Sequence, residues 1–291
     1  MDPVRTRTAA RILRMLPRER ITRALGHLTE ARVPSQVLDP VLRLYTRAYG
    51  VDMSEAVTPD AGFATFNEFF TRRLREGVRP IDADPHALIS PSDGRLDDGG
   101  PIDGRCTFAV KRQTYDVATL LASETEAAWF AGGSFAVVYL SPRDYHRVHS
   151  PATGVITRVR HIPGTLFPVN ELGVRSVPQL FARNERVVIH VRSDEFGRVA
   201  VVMVGAMIVG RIVLAFDGPA RPAIGGAIAE RSWLNGDSPR VARGDELGAF
   251  ELGSTVVMLL ERGPAGATEL DARRVGQHVH FGEAIARRPT P

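Results

Sequence analysis

Beyond residue 89 the chain consists of short β-prone runs, each closed by glycine, proline or aspartate, and this texture limits the fold more than any other feature. The candidate strands are residues 135–140, 155–160, 187–191, 199–204, 208–216 and 255–261. Several short strands separated by turn signals predict an antiparallel sandwich or barrel-like domain rather than a doubly wound sheet. Residues 199–216 nearly reach the length of a membrane span and are broken only by Arg211. Their many valines, with Gly205 and Gly210 as punctuation, fit two buried strands around a turn instead.

The N-terminal part has a different period. Ile12, Leu13 and Leu16, then Ile21, Leu25 and Leu28, recur at helical spacing, and Pro17 stands where a second helix would begin. A third helix is expected from Asp39-Pro40, cap then first turn, through Val41, Leu44, Tyr45 and Ala48. Thr65-Phe66-Asn67-Glu68 reads as a capping box. It opens a helix with Phe66, Phe69, Phe70 and Leu74 on one face, covered on the other by Arg72, Arg73 and Arg75, and Pro80 closes it. The expected class is α+β, with N-terminal amphipathic helices followed by a mainly antiparallel β domain. The expected division is a helical region over residues 1–80 and a β-rich domain over residues 81–291.

Charge is unevenly spread. Residues 1–48 hold ten arginines against Asp2, Glu19, Glu30 and Asp39, so this segment carries about six positive charges. The whole chain carries only +4, which leaves the remainder slightly acidic. Lys111 is the only lysine, so the basic side is almost wholly arginine, a residue that keeps its charge and grips phosphates bidentately. A basic amphipathic segment of this kind can lie in a membrane interface, pack as a solvated face on its own protein, or serve as a nucleic-acid arm. Arginines interrupt every apolar run near the N-terminus, so no secretory signal is visible. Cys106 is the only cysteine, which excludes an intrachain disulfide.

Three polar clusters could carry chemistry. Ser90-Pro91-Ser92-Asp93-Gly94 is a turn whose aspartate would by default bond its own backbone. In Arg143-Asp144-Tyr145-His146-Arg147-Val148-His149 two histidines stand three apart. Nothing nearby supplies the three or four ligands of a zinc site, so no metal is expected. The third cluster is Leu252-Gly253-Ser254-Thr255, which delivers a serine between a glycine and a strand. That is either an ordinary turn whose serine bonds its own loop or a nucleophile. In the second case Asp93 would orient a histidine, and the histidine would carry the proton of Ser254.

Leu252-Gly253-Ser254-Thr255 resembles the self-cleavage motif of the phosphatidylserine decarboxylases, and other strings resemble that family in the same order. They are Phe66-Asn67-Glu68-Phe69-Phe70 through Arg79-Pro80-Ile81, Tyr139 through His149, Phe181-Ala182-Arg183-Asn184-Glu185-Arg186-Val187, and Val204-Gly205-Ala206-Met207-Ile208-Val209-Gly210. The resemblance implies a triad of Asp93, His149 and Ser254, with His146 in a lesser role. It implies that Ser254 attacks the carbonyl of Gly253 and that elimination and hydrolysis follow. The products would be a β chain ending at Gly253 and a 38-residue α chain whose first residue is a pyruvoyl cofactor made from Ser254. That ketone would accept the electrons released when phosphatidylserine loses carbon dioxide to become phosphatidylethanolamine, and His149 would return a proton. The implied partners are phosphatidylserine in an anionic membrane and the two chains of one precursor; nucleic acid is not expected, and a homodimer is compatible. The implied location is peripheral, on the cytoplasmic face of the cell membrane. Three rivals remain at this stage: an uncleaved serine hydrolase, although Gly-x-Ser-x-Gly is absent around Ser254; a binding module built on the arginine segment; and a pyruvoyl enzyme for a soluble amino acid.

Overall fold

The computed structural model describes residues 28–111, 113–206, 211–216, 218–219, 226–233, 236–251 and 254–289. The helices expected over residues 5–28 lie almost wholly outside this set, as do Leu252, Gly253 and the string from Met207 to Gly210. The principal strands in chain order are β1 (Gly94–Pro101), β2 (Ser134–Leu140), β3 (Arg147–His149), β4 (Gly154–Ile162), β5 (Arg186–Ser193), β6 (Gly197–Gly205) and β7 (Ile212–Leu214). They continue with β8 (Ala229–Ser232), β9 (Arg240–Val241), β10 (Glu246–Phe250), β11 (Ser254–Leu260) and β12 (His278–Val279).

Nine of these strands form one antiparallel sheet in the order β8, β4, β5, β6, β11, β2, β1, β12, with β9 also paired to β4. Strand β11 is central. Ser254 stands opposite Gly205 of β6 and Leu140 of β2, and the register holds without a bulge to Leu260 on both sides. A second, smaller sheet runs Gly218–Pro219, β7, β10, β3. The antiparallel β domain and the α+β class expected from the sequence are thus what the chain forms.

Side-chain alternation assigns the two faces of β11. Val256, Met258 and Leu260 join Leu140, Val148, Leu247 and Phe250 in one apolar layer, between the large and the small sheet. Val257 and Leu259 join Phe108, Tyr115 and Phe181 in a layer on the opposite face. A strand buried on both faces cannot alternate apolar with polar, and this accounts for the unbroken run after Ser254. Each fully buried valine or leucine contributes roughly 1.5–3 kcal/mol. By the same alternation Ser254 shares the face of Val256, toward the small sheet that carries β3 and β10.

Two helical expectations need correction. Helix α1 spans Ser35–Tyr49, so it begins before Asp39 and contains Pro40. Leu38 and Leu42 bury against Val51, Phe63 and Phe69, and this packing holds the turn before the proline in the helix. Helix α2 is only Phe66–Phe70, so Leu74 is not on it. The Thr65 hydroxyl does cap the Glu68 amide, but the Glu68 carboxylate takes the amide of Ala64 rather than that of Thr65. Arg72 does not cover a solvent face: it is 5% exposed.

Candidate active site

Ser254 opens β11, and its hydroxyl is buried without a hydrogen-bond partner among the described residues. Buried hydroxyls nearly always bond something, because leaving one unpaired costs roughly 1–3 kcal/mol. Thr255 Oγ1 is in the same condition.

His149 ends β3, whose partner β10 leads to β11. Its Nδ1 donates to the carbonyl of Gly244 at 2.8 Å. The proton therefore sits on Nδ1, and Nε2 accepts from the Tyr145 hydroxyl at 3.0 Å. Burial pushes the Tyr145 hydroxyl up, which keeps it a donor. The imidazole stacks on Phe281, with centroids 3.7 Å apart and planes 15° apart. Burial pushes His149 below its ordinary value, against an opposing pull from the Gly244 carbonyl, so the ring is neutral. Gly244 has φ +95°, in the left-handed region, so the turn that aims this carbonyl favours glycine.

Asp93 lies in the turn before β1 and is 3% exposed. Arg79 grips its carboxylate through Nε at 3.1 Å and Nη2 at 2.7 Å, the Phe281 amide donates at 2.8 Å, and His280 Nδ1 lies 3.5 Å away. Burial works to raise its pKa, but His280, Arg79 and the Phe281 amide together hold it down at about 2. Arg79 is itself fixed on its far side by Glu55, at 3.0 and 2.7 Å.

The turn carrying Asp93 and the strand carrying His149 are tied by the His149 amide, which donates to the Pro91 carbonyl at 2.7 Å. Phe281 joins them again, its amide on Asp93 and its ring on His149. Among the described residues, no side-chain hydrogen bond joins the Asp93 carboxylate to the His149 ring. The carbonyl of Gly244, not a carboxylate, fixes the tautomer of His149.

His146 is fully buried and stacks on Phe70 with centroids 4.0 Å apart. Its Nε2 lies 3.1 Å from the Ser141 carbonyl, and Nδ1 has no partner among the described residues. Burial pushes its pKa down to about 3, so Nδ1 presents a lone pair. Asp144 anchors the same loop by accepting from the Ser141 amide and hydroxyl, each at 2.7 Å, and pairs with His278 at 2.9 Å. His278, His280 and Phe281 were missed by sequence reasoning. Their only local signal is the alternation His278-x-His280, which a short strand turns toward one side.

Comparison with known proteins places this geometry among relatives. The family model described as phosphatidylserine decarboxylase matches residues 66–287. A phosphatidylserine decarboxylase proenzyme from Acidovorax ebreus is 46% identical over 278 residues, 94% of this chain and 95% of that protein. Proteins of the same name from Xanthomonas euvesicatoria pv. vesicatoria and from an Anaeromyxobacter species are 44% and 43% identical. The first of these two alignments covers 92% of this chain and 93% of the relative, and the second covers 94% and 95%.

Proposed function

Because the chain belongs to the phosphatidylserine decarboxylase family, we propose that it cuts itself before Ser254 and then converts phosphatidylserine to phosphatidylethanolamine and carbon dioxide. The observation that carries this reading is the Ser254 hydroxyl, buried at the head of the central strand and bonded to nothing among the described residues. A turn serine ordinarily spends its hydroxyl on its own loop; this one does not among the described residues, which leaves its proton for a base to take as the oxygen attacks the preceding carbonyl.

In the proposed maturation the Ser254 O–H bond breaks and its proton passes to a base. The oxygen bonds the Gly253 carbonyl carbon, and the C–N bond of that peptide breaks as the nitrogen takes a proton, which gives an ester. Loss of the Ser254 Cα proton then expels the Gly253 carboxylate, and water releases the nitrogen as ammonia, leaving a ketone. His149 suits the base: it is neutral, its tautomer is fixed by Gly244, and Nε2 carries the lone pair, which accepts from the Tyr145 hydroxyl here and would have to exchange that partner for the Ser254 hydroxyl to take its proton. Asp93 supplies a fixed negative charge across Phe281, which would stabilise the imidazolium once formed.

The cut would not separate the products. The seven residues of β11 pair on both sides, with β2 and β6, and Ala284–Arg287 pairs with Ala87–Ile89. The pyruvoyl ketone would supply an electron sink for the pair released with carbon dioxide. Its surroundings fit that role, since Ser254 and its neighbours Thr255, Leu140 and Gly205 are all buried and exclude water.

Peripheral attachment to an anionic membrane is supported by helix α1. Val37, Val41 and Leu44 form an exposed apolar stripe, 58%, 49% and 71% accessible, beside Arg43 and Arg47. Among the described residues no helix is long and apolar enough to cross a membrane. The reading is tested with vesicles of phosphatidylserine labelled in the serine carboxyl. The wild-type protein should release labelled carbon dioxide and Ser254→Ala should not. Release by both, or by neither, would overturn it.

A further inference from the structure

The ladder around Ser254 fixes which way its peptide groups point. In an antiparallel sheet the N–H and C=O of one residue face the same neighbouring strand, and successive residues face opposite ones. The Glu261 amide donates to the Arg198 carbonyl at 2.9 Å, so Arg198 and the even-numbered residues after it on β6 face β11. The Gly205 amide donates to the Glu185 carbonyl at 2.8 Å, so Gly205 faces away from β11, toward the side of β5. Thr255 is therefore the residue of β11 that exchanges hydrogen bonds with Val204. Ser254, one residue earlier, turns its N–H to the other side, toward Leu140 of β2.

A buried side chain holds the peptide between Gly205 and Ala206. Asn184, with no exposed surface, donates from Nδ2 to the carbonyls of Gly205 and Phe167, each at 2.8 Å. Its Oδ1 accepts from the Phe167 amide at 2.9 Å and from the Thr165 hydroxyl at 3.4 Å. Because the Phe167 amide requires an acceptor, the Asn184 carboxamide has one orientation, with Nδ2 on Gly205. A trans peptide directs its C=O and N–H oppositely. By gripping the Gly205 carbonyl, Asn184 thus aims the Ala206 N–H toward the head of β11. Ala206 is buried, and among the described residues its N–H donates to nothing; buried backbone N–H groups are nearly always paired.

The same rule applies to the peptide before Ser254: its N–H faces Leu140, so the carbonyl that Ser254 would attack is directed toward β6, where the next amide is that of Ala206. We infer that the Ala206 N–H stabilises the oxyanion formed on Gly253 during self-cleavage, and that Asn184 is the positioning residue that aims it. The inference rests on the maturation reading above. As the Ser254 oxygen bonds the Gly253 carbon, the carbonyl π pair moves onto the Gly253 oxygen. The pair returns when the C–N bond breaks. A ladder bond that is ordinary on the neutral carbonyl is charge-assisted at that moment, so it strengthens where it lowers the barrier. The Nδ2–H on the Gly205 carbonyl also polarises the same peptide, which makes its N–H a better donor.

The test replaces Ala206 with its α-hydroxy analogue, lactic acid, by nonsense suppression in cell-free translation. The N–H becomes an ester oxygen and the side chain is kept. Self-cleavage, followed by mass, should slow by about 100- to 1,000-fold, the scale of one lost oxyanion donor. Asn184→Leu, similar in shape but without a donor, should slow it by about tenfold or more. Hydroxylamine cuts the ester intermediate and so separates the acyl shift from the later elimination. It should not restore cleavage in either variant, whereas damage confined to the elimination would be bypassed. Rates are compared well below the Tm of each variant, measured in a Ser254→Ala background. Cleavage within about threefold of wild type in the α-hydroxy variant, or restoration by hydroxylamine, would overturn the inference. If Asn184→Leu does not fold, Asn184→Ala replaces it, and a normal rate there removes Asn184 from the role; the α-hydroxy variant decides Ala206 in every case. A wild-type control that does not cleave sinks the maturation reading, and this inference with it, before any variant is read.

Discussion

Replacing Arg79 with methionine removes the clamp on Asp93, and its cost can be worked from the structure. The carboxylate is held at about 2 against an ordinary 3.8, which corresponds to roughly 2–3 kcal/mol of stability at neutral pH. Asp93 is 3% exposed, so solvent screens this little, whereas the side chain of Glu55 is 32% exposed and loses less when its partner goes. Breaking a buried pair from one side usually costs 3–5 kcal/mol, and the Phe281 amide remains on Asp93. We therefore expect a loss of about 3 kcal/mol at pH 7. The sign with pH follows from the depressed value: the stabilisation is complete above 3.8 and is lost as pH falls toward 2. In the variant Asp93 protonates earlier, so the gap should narrow by at least about 1 kcal/mol between pH 7 and pH 3. The assay is urea unfolding of Arg79→Met against Arg79, both in a Ser254→Ala background that keeps one uncut chain. A gap below about 1 kcal/mol at pH 7, or one that does not change with pH, would refute the reasoning.

Three further outcomes follow from the same geometry. Burial holds His149 below its ordinary 6.5, so the neutral base persists to lower pH, and the self-cleavage rate should reach its half-maximum below pH 6.5; a half-maximal rate at or above 6.5 would contradict this. Gly244→Ala places a side chain at φ +95° with its Cβ 2.9 Å from Ile81 Cδ1, so it should cost about 1–2 kcal/mol in thermal unfolding and slow cleavage; an unchanged Tm would argue against a strained turn. Leu44→Glu, at a site 71% exposed, should leave Tm unchanged but weaken sedimentation with anionic vesicles by about tenfold or more; equal binding would remove α1 from the docking face.

The β domain was legible because its core is written in local runs. The expected runs 135–140, 155–160, 187–191, 199–204 and 255–261 each fall on a strand whose ends differ by no more than two residues, whereas of the expected 208–216 only Ile212–Leu214 is strand among the described residues. The helical part was less legible. Pro40 marks a helix start only if nothing upstream packs, and Leu38 does pack. The capping box gave the correct first turn of α2 but not its length, since the chain must leave the helix at Thr71 for Arg72 to reach the loop of Asp144. Ser254, Asp93 and His149 stand out as residues in local motifs. The groups that hold Asp93 and His149, namely Arg79, Gly244, Tyr145 and Phe281, come from four separate parts of the chain. Only tertiary structure shows that Asp93 is held by an arginine and His149 by a backbone carbonyl.

The most direct measurement is the intact mass of the purified protein under denaturing conditions, beside Ser254→Ala. The wild type should give two chains, the smaller comprising the 38 residues from position 254, lacking a free amine and reacting with a carbonyl reagent. Ser254→Ala should give one chain of full length. A wild-type protein that remains a single full-length chain would contradict the account.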